Sequence, residues 1–248
     1  MSNFIKTFLI LFLIVPATTF GYEFSAMTLN VDNLFDTLDD IKKDDKAYLP
    51  IEFKQSEAHK KSCNRIRVNS WKNECLYLDW NEETKNAKLK NIANSIISYG
   101  QNGPDIIALQ EVENNNILNQ LLDLLRPYGY IDSVLIEGKD YRGIDTALIS
   151  RFEIVDSKLH YIKFSGELEG KDTRPILDAT LEVNGDKLKI YNVHFPSGFH
   201  DVSMRIDSLN VLSGLLNRHN YPTIALGDFN VNTKEDNKLN KYKSQEIY

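Results

Sequence analysis

Apolar and polar positions alternate between two periods along this chain, and the switches mark its elements. Glu23 to Asn30 has the character of a first strand, ending at Asn30. Residues 36–80 break both periods and form a long polar insertion. Leu89, Ile92, Ala93, Ile96 and Ile97 then share one helical face, closed by the Gly and Pro signals of Tyr99 to Pro104. Asp105 to Gln110 is a short buried strand. A second helix runs from about Asn116 to Arg126 on Ile117, Leu118, Leu121, Leu122 and Leu125. Strand-like runs follow at 131–136, 145–150, 154–164, 176–183 and 187–194, and the last two flank Asn184-Gly185, a hairpin signal. Asp201 or Ser203 can cap a third helix carrying Met204, Leu209, Leu212, Leu215 and Leu216, and Thr223 to Leu226 is a last buried strand. Strands interleaved with helices and hairpins predict an α/β sandwich of two mixed sheets rather than a doubly wound parallel sheet.

The first residues carry an address. Lys6 precedes an apolar run, Phe8 to Val15, too short to span a bilayer, and then small or polar residues at Ala17 to Thr19. This is the pattern of a secretory signal peptide over residues 1–21, with Thr19 as the alternative cleavage point. The expectation is therefore a secreted or periplasmic protein whose mature domain starts at residue 22 and has no transmembrane segment. About 225 residues are enough for one sizeable core, and a monomer is expected. The chain has 29 Lys+Arg against 35 Asp+Glu, and loss of Lys6, with no acid before the cleavage point, takes the net charge from −6 to −7. An acidic surface argues against tight, salt-driven coating of nucleic acid, though not against brief contact with phosphates. Cys63 and Cys75 are the only cysteines and predict one disulfide, since half a zinc site would lack Cys-x₂-Cys spacing and a His pair.

Chemistry concentrates where strands stop. The first strand ends at Asn30, the Ile-Ile-Ala-Leu-Gln strand in Glu111, Tyr-Asn-Val in His194, and Thr-Ile-Ala-Leu-Gly in Asp228, with Asn230 two residues on. Any one of these alone reads as a turn former or a hydrogen-bonded histidine. Together they are the hard oxygen ligands and proton donors that a phosphodiester requires: charge neutralised on its oxygens and a water delivered in line. No glycine-rich phosphate loop is present.

At these residues the sequence resembles the endonuclease/exonuclease/phosphatase superfamily, which includes deoxyribonuclease I, exonuclease III-type enzymes, sphingomyelinases and inositol phosphatases. The motifs are Leu-Asn-Val-Asp-Asn-Leu, Ile-Ala-Leu-Gln-Glu-Val-Glu, Arg-Gly-Ile-Asp-Thr-Ala-Leu-Ile-Ser-Arg, Asn-Val-His-Phe-Pro-Ser and Gly-Asp-Phe-Asn-Val, from Glu23 to about Asn232. The resemblance implies a four-layer αββα sandwich. It implies Mg²⁺, with Mn²⁺ or Ca²⁺ as alternatives, on Asn30 and Glu111. Asp228 would act on the attacking water, Asn230 would contact a phosphoryl oxygen, and His194 would donate to the phosphate. Ser197, Asp145 and Arg174 are the implied substrate contacts; Arg174 reads equally as a surface arginine before an edge strand. The family closes with further strands and a Ser-Asp-His motif whose Asp-His pair activates the water. That motif does not occur before Tyr248, so the C-terminal strands are expected to be missing, and His200 and His219 are poor substitutes.

The expected activity is phosphodiester hydrolysis, with nucleic acid the first substrate class. Residues 54–72 support it, setting Lys54, Lys60, Lys61, Arg65, Arg67 and Lys72 against the single acid Glu57 and adding Trp71 for stacking. The alternatives are a phosphoesterase on lipid head groups or small phosphate esters, and a non-catalytic homologue.

Overall fold

The computed structural model describes residues 23–218 and 220–231; residues 1–22, where a signal peptide is expected, His219 and residues 232–248 lie outside these. Eight strands form two sheets. The first contains β1 (Ala26–Leu34), β2 (Ile106–Val112), β3 (Asp132–Leu135) and β4 (Asp145–Ser150) in the order β1-β2-β4-β3. The second contains β5 (Glu153–His160), β6 (Ile176–Val183), β7 (Asp186–His194) and β8 (Thr223–Asp228) in chain order. Each sheet mixes one parallel pair, β1 with β2 or β7 with β8, with antiparallel ones. The expected pair of mixed sheets is therefore present.

Side-chain alternation along the strands creates the layers. Ile106, Ala108 and Leu148 of the first sheet pack on Leu177, Ala179, Leu181, Leu188 and Ile190 of the second. Ile107, Leu109, Ala147 and Ile149 point the other way, onto α3 (Glu82–Ile97) and α4 (Asn115–Leu125). On the outer face of the second sheet Tyr191 and Val193 meet α5 (Val202–Leu216) through Leu209, Leu212 and Leu215. Burying each such Leu or Ile contributes roughly 1.5–3 kcal/mol. The result is helix, sheet, sheet, helix, the four layers that the resemblance implied.

Several boundaries differ from the sequence expectation, each for a local reason. β1 does not stop at Asn30 but runs on to Leu34 through a register shift, with Asp32 and Asn33 at positive φ (52° and 63°). Asn30 Oδ1 accepts from Asp32 N at 2.9 Å, the short-range bond that lets an Asx residue turn the chain locally. β5 ends at His160, four residues early, because Ile162 and Phe164 leave the ladder to fill the core under α5. The Asn184-Gly185 turn is as expected, both residues at positive φ. Asp201, not Ser203, caps α5 by accepting from Ser203 N.

The polar insertion is ordered. It holds α1 (Glu57–Cys63) and α2 (Asn69–Tyr77), joined by a Cys63–Cys75 disulfide with Cα atoms 5.6 Å apart. Lys54 does not belong to its exposed basic face. It is buried, and its ammonium donates to the carbonyls of Ala47, Glu74 and Leu78 at 2.7, 3.3 and 2.6 Å. Phe35, Trp80 and Ile144 form a small core that seats the insertion on the main body, Tyr48 stacking on Phe35 with ring centroids 4.1 Å apart. Among the described residues no helix is long and apolar enough to cross a membrane.

Candidate functional site

Both parallel pairs point their C-terminal ends at the same place. Asn30 lies opposite Gln110 in the β1–β2 register, which puts Glu111 one step beyond; His194 lies opposite Asp228 in the β7–β8 register. The two sheets are fixed face to face by a buried amide network. Gln110 Nε2 donates to Asn192 Oδ1 at 2.8 Å, and Asn192 Nδ2 donates back across the layer to the carbonyls of Leu109 and Ala147, each at 2.8 Å. The Gln of the Gln-Glu motif thus joins the sheets so that Glu111, its neighbour, meets the residues of the other one.

The meeting is direct. Asn30 Nδ2 donates to Glu111 Oε1 and to Asp228 Oδ2, both at 3.3 Å, bridging the sheets. His194 Nε2 is 3.6 Å from Glu111 Oε1 and 3.8 Å from Asp228 Oδ2. Glu111 Oε2 accepts from Asn33 N at 3.0 Å, and Asp228 Oδ1 from Asn230 N at 2.9 Å. Asn230 is held in turn by Nδ2 donating to the Phe195 carbonyl, which leaves its second amide hydrogen for a ligand. Glu111 and Asn230 both sit at positive φ (68° and 52°), a backbone strain of roughly 1–3 kcal/mol each that tends to cluster at functional sites.

His194 is buried, and its Nδ1 has no hydrogen-bond partner. Burial first, then the positive charges of Arg174 and Arg142, lower its pKa to about 3. The ring is therefore neutral near pH 7 and carries one N–H, which at Nε2 points at the carboxylates and at whatever binds between them.

The remaining sequence candidates divide. Ser197 follows β7 in a turn whose Pro196 and Ser197 carbonyls accept from Arg205 Nη1 at 3.1 and 2.7 Å. Asp145 is buried beside Val112, and both its oxygens accept from Gly138 N at 3.0 Å, so it anchors the 138–144 loop. Arg174 is not a surface residue before an edge strand: its side chain is 12% exposed, β6 is an inner strand, and Nη1 donates to Asp140 Oδ2 at 2.9 Å. His200 is exposed.

Sequence reasoning missed Asp32, Asn33 and Lys88. Lys88 of α3 donates to the Asp32 carbonyl and, at 3.3 Å, to that of Asn33, fixing the segment whose N–H holds Glu111. A lysine on the polar side of an amphipathic helix gives no sign of this. The basic stretch is partly spent: Lys54 is caged, whereas Arg65, Arg67 and Trp71 remain exposed. His59 Nε2 lies against Cys63 and the Cys75 carbonyl, and since the sulfurs are bonded to each other the zinc alternative is excluded.

Comparison with known proteins covers most of the same residues. A model of the Endonuclease/Exonuclease/phosphatase family matches residues 68–240. A search of curated proteins found no match. Among solved structures, a β-hairpin deletion mutant of beta toxin from Staphylococcus aureus superposes with a TM-score of 0.51 at 16% identity, covering 89% of this chain and 72% of that one. TDP2 from D. rerio complexed with single-strand DNA product gives 0.47 at 20% identity, covering 61% and 57%. A beta toxin F277A, P278A mutant with bound magnesium ions gives 0.48 at 19% identity, covering 62% and 61%. The chain thus spans about three fifths of the length of the latter two.

Proposed function

Because the chain belongs to the endonuclease/exonuclease/phosphatase family, we propose that the cleft between its sheet ends hydrolyses phosphodiesters with a divalent cation, Mg²⁺ first, and that nucleic acid is the substrate. The observation that carries this is the convergence of Glu111, Asp228 and His194 within 3.8 Å across two sheets. Two carboxylates meet there without a Lys or Arg partner among the described residues, a donor set that suits a hard cation.

Glu111 would hold the cation, and Asn30 would join it through its amide oxygen by turning its side chain, since here Nδ2 faces the carboxylates and Oδ1 accepts from Asp32 N. The bound ion supplies charge neutralisation on the phosphoryl oxygens. His194 donates from Nε2 to a non-bridging oxygen as charge builds on it. It does so as a neutral imidazole, held by burial rather than by a partner on Nδ1. Asn230 offers its second amide hydrogen to the same group, and Asp228 orients the attacking water. Arg174, largely buried and paired with Asp140, adds positive charge near His194 and the phosphate. The exposed Arg65 and Arg67 between the disulfide-linked helices, and Trp71 on the second of them, suit a nucleic-acid strand, since arginine meets phosphate and indole stacks on a base. Export is part of the proposal, and the disulfide supports it. A phosphoesterase acting on lipid head groups is the second reading, favoured by Phe199, fully exposed in the turn five residues after His194.

The test is to assay the protein as expressed from its gene on plasmid DNA, sphingomyelin and a bis-aryl phosphate, with Mg²⁺ and with EDTA. DNA cleavage that EDTA abolishes, and that Glu111→Gln lowers on the order of 10²-fold or more, is expected. Turnover of sphingomyelin but not DNA would select the second reading. Glu111→Gln turnover at the wild-type rate would overturn both.

A further inference from the structure

A second group of acids lies behind the cleft. Asp40, Asp45 and Glu113 each bring one carboxylate oxygen to within 4.8 Å of the others. Asp45 is 1% and Glu113 3% exposed. Such burial of two carboxylates is costly unless positive charge compensates it. No basic side chain pairs with any of the three among the described residues; Lys43 and Lys46, nearby in the chain, and Arg142, in the loop that Lys43 reaches, pair elsewhere.

The hydrogen bonds around the group leave a gap in the same place. Asp45 Oδ2 accepts from Asp40 N at 2.7 Å, but Asp45 Oδ1 is buried with no partner. Glu113 Oε2 accepts from Asp36 N at 2.7 Å. Asp36, also buried, is saturated by Leu38 N and by the amides of Asn114 and Asn116, so it holds the neighbouring chain rather than joining the group. A proton shared between the buried Asp45 and Glu113 would join those two oxygens without engaging Asp40. A cation joins all three.

We propose that Asp40, Asp45 and Glu113 form a second divalent-cation site of calcium type, separate from the Glu111 cleft. The chemistry fits: all donors are hard oxygens, and oxygens bound to one Ca²⁺ at about 2.3–2.6 Å lie no more than roughly 5 Å apart. The remaining ligands of a six- to eight-coordinate ion are carbonyls or water. Glu113 follows Glu111 by two residues at the end of β2, and Asp40 and Asp45 belong to the loop after β1. The ion therefore ties that loop to the strand end that carries the cleft, and its role is structural.

The experiment uses the full chain carrying Glu111→Gln, stripped with EDTA and dialysed, so that the cleft ligand is already weakened. Ca²⁺ is titrated while Tm is followed, and Tb³⁺ is titrated in parallel with excitation of Trp80, whose indole donates to the Phe35 carbonyl beside Asp36. A saturable Tm rise of about 5 °C and one equivalent of sensitised Tb³⁺ are expected. Asp45→Asn in the same background should weaken both responses at least tenfold. Should Asp45→Asn fail to fold, Asp40→Asn, at a half-exposed position, decides the matter in its place. No response to Ca²⁺ in the Glu111→Gln chain, or an undiminished response in the Asp40 and Asp45 variants, overturns the site. Neither result bears on cleavage, which is read separately with wild-type protein and Mg²⁺.

Discussion

Replacing Lys189 by Met should unfold the second sheet first and leave its chemistry intact while it stays folded. Lys189 and Asp178 are 2% and 1% exposed, and the ammonium donates to Asp178 Oδ1 and Thr180 Oγ1 on the outer face of β6 and β7. Asp178 Oδ2 lies 2.8 Å from His160 Nε2 and 3.7 Å from Lys158 Nζ. Removing one member of a buried pair typically costs about 3–5 kcal/mol because the other charge is left without compensation. Here His160 and Lys158 remain, so the low end, about 3 kcal/mol, applies, or a Tm fall of roughly 6–12 °C for a domain of this size. Adding Asp178→Asn removes the stranded charge and should recover about half of the loss. Burial alone would raise the Asp178 pKa, but the bonds from Lys189 and His160 outweigh it and hold the carboxyl below its ordinary value. Its contribution is thus present above the unfolded-state pKa of about 4 and fades as pH falls through the lower folded value. Denaturant melts of wild type, Lys189→Met and the double variant between pH 7 and pH 3 check all of this. A single variant losing under about 1 kcal/mol, or a double variant no better than the single, would refute the reasoning.

Gly227 has φ +136°, and a Cβ there would sit 2.1 Å from the Val193 carbonyl oxygen, a backbone atom that cannot rotate away; Gly227→Ala should cost at least about 3 kcal/mol and depress cleavage by displacing Asp228, read by melts and kinetics together. Cys63→Ser with Cys75→Ser removes a bridge across a sequence separation of 12 and should cost about 2–3 kcal/mol, and unreduced wild-type protein should show no titratable thiol. His194→Ala should lower kcat roughly 10²–10³-fold with little change in KM, since its donation matters as charge develops; a pure KM effect would assign it to ground-state binding.

The convergence of the site residues was legible because each interrupts an apolar run. Asn30, Glu111, His194 and Asp228 each interrupt a run of Ile, Leu, Ala or Val, and parallel pairing places such interruptions at one end of a sheet. What joins the two sheets was less legible, since Gln110 and Asn192 read as ordinary polar positions until the layers are stacked. Lys88 escaped notice, Lys54 was counted into an exposed basic stretch and Arg174 read equally as a surface arginine, for a common reason: long cationic side chains are assigned to solvent by composition, whereas here each reaches an oxygen supplied by another segment. Asp145 is a carboxylate at a strand start whose two oxygens accept from one neighbouring backbone N–H, a bond that the sequence does not announce.

The caging of Lys54 makes the insertion report on its own opening. An amine buried among three carbonyls is out of reach of a reagent in solution, so acylating reagents should label the exposed lysines quickly and this one only when residues 46–80 come apart. Its labelling rate, followed by mass spectrometry against that of Lys61 as an exposed reference, is then a clock for loosening of the segment that carries Arg65, Arg67 and Trp71. If a nucleic-acid strand rests on that segment, saturating it with DNA in EDTA, where no cleavage is expected, should slow the clock.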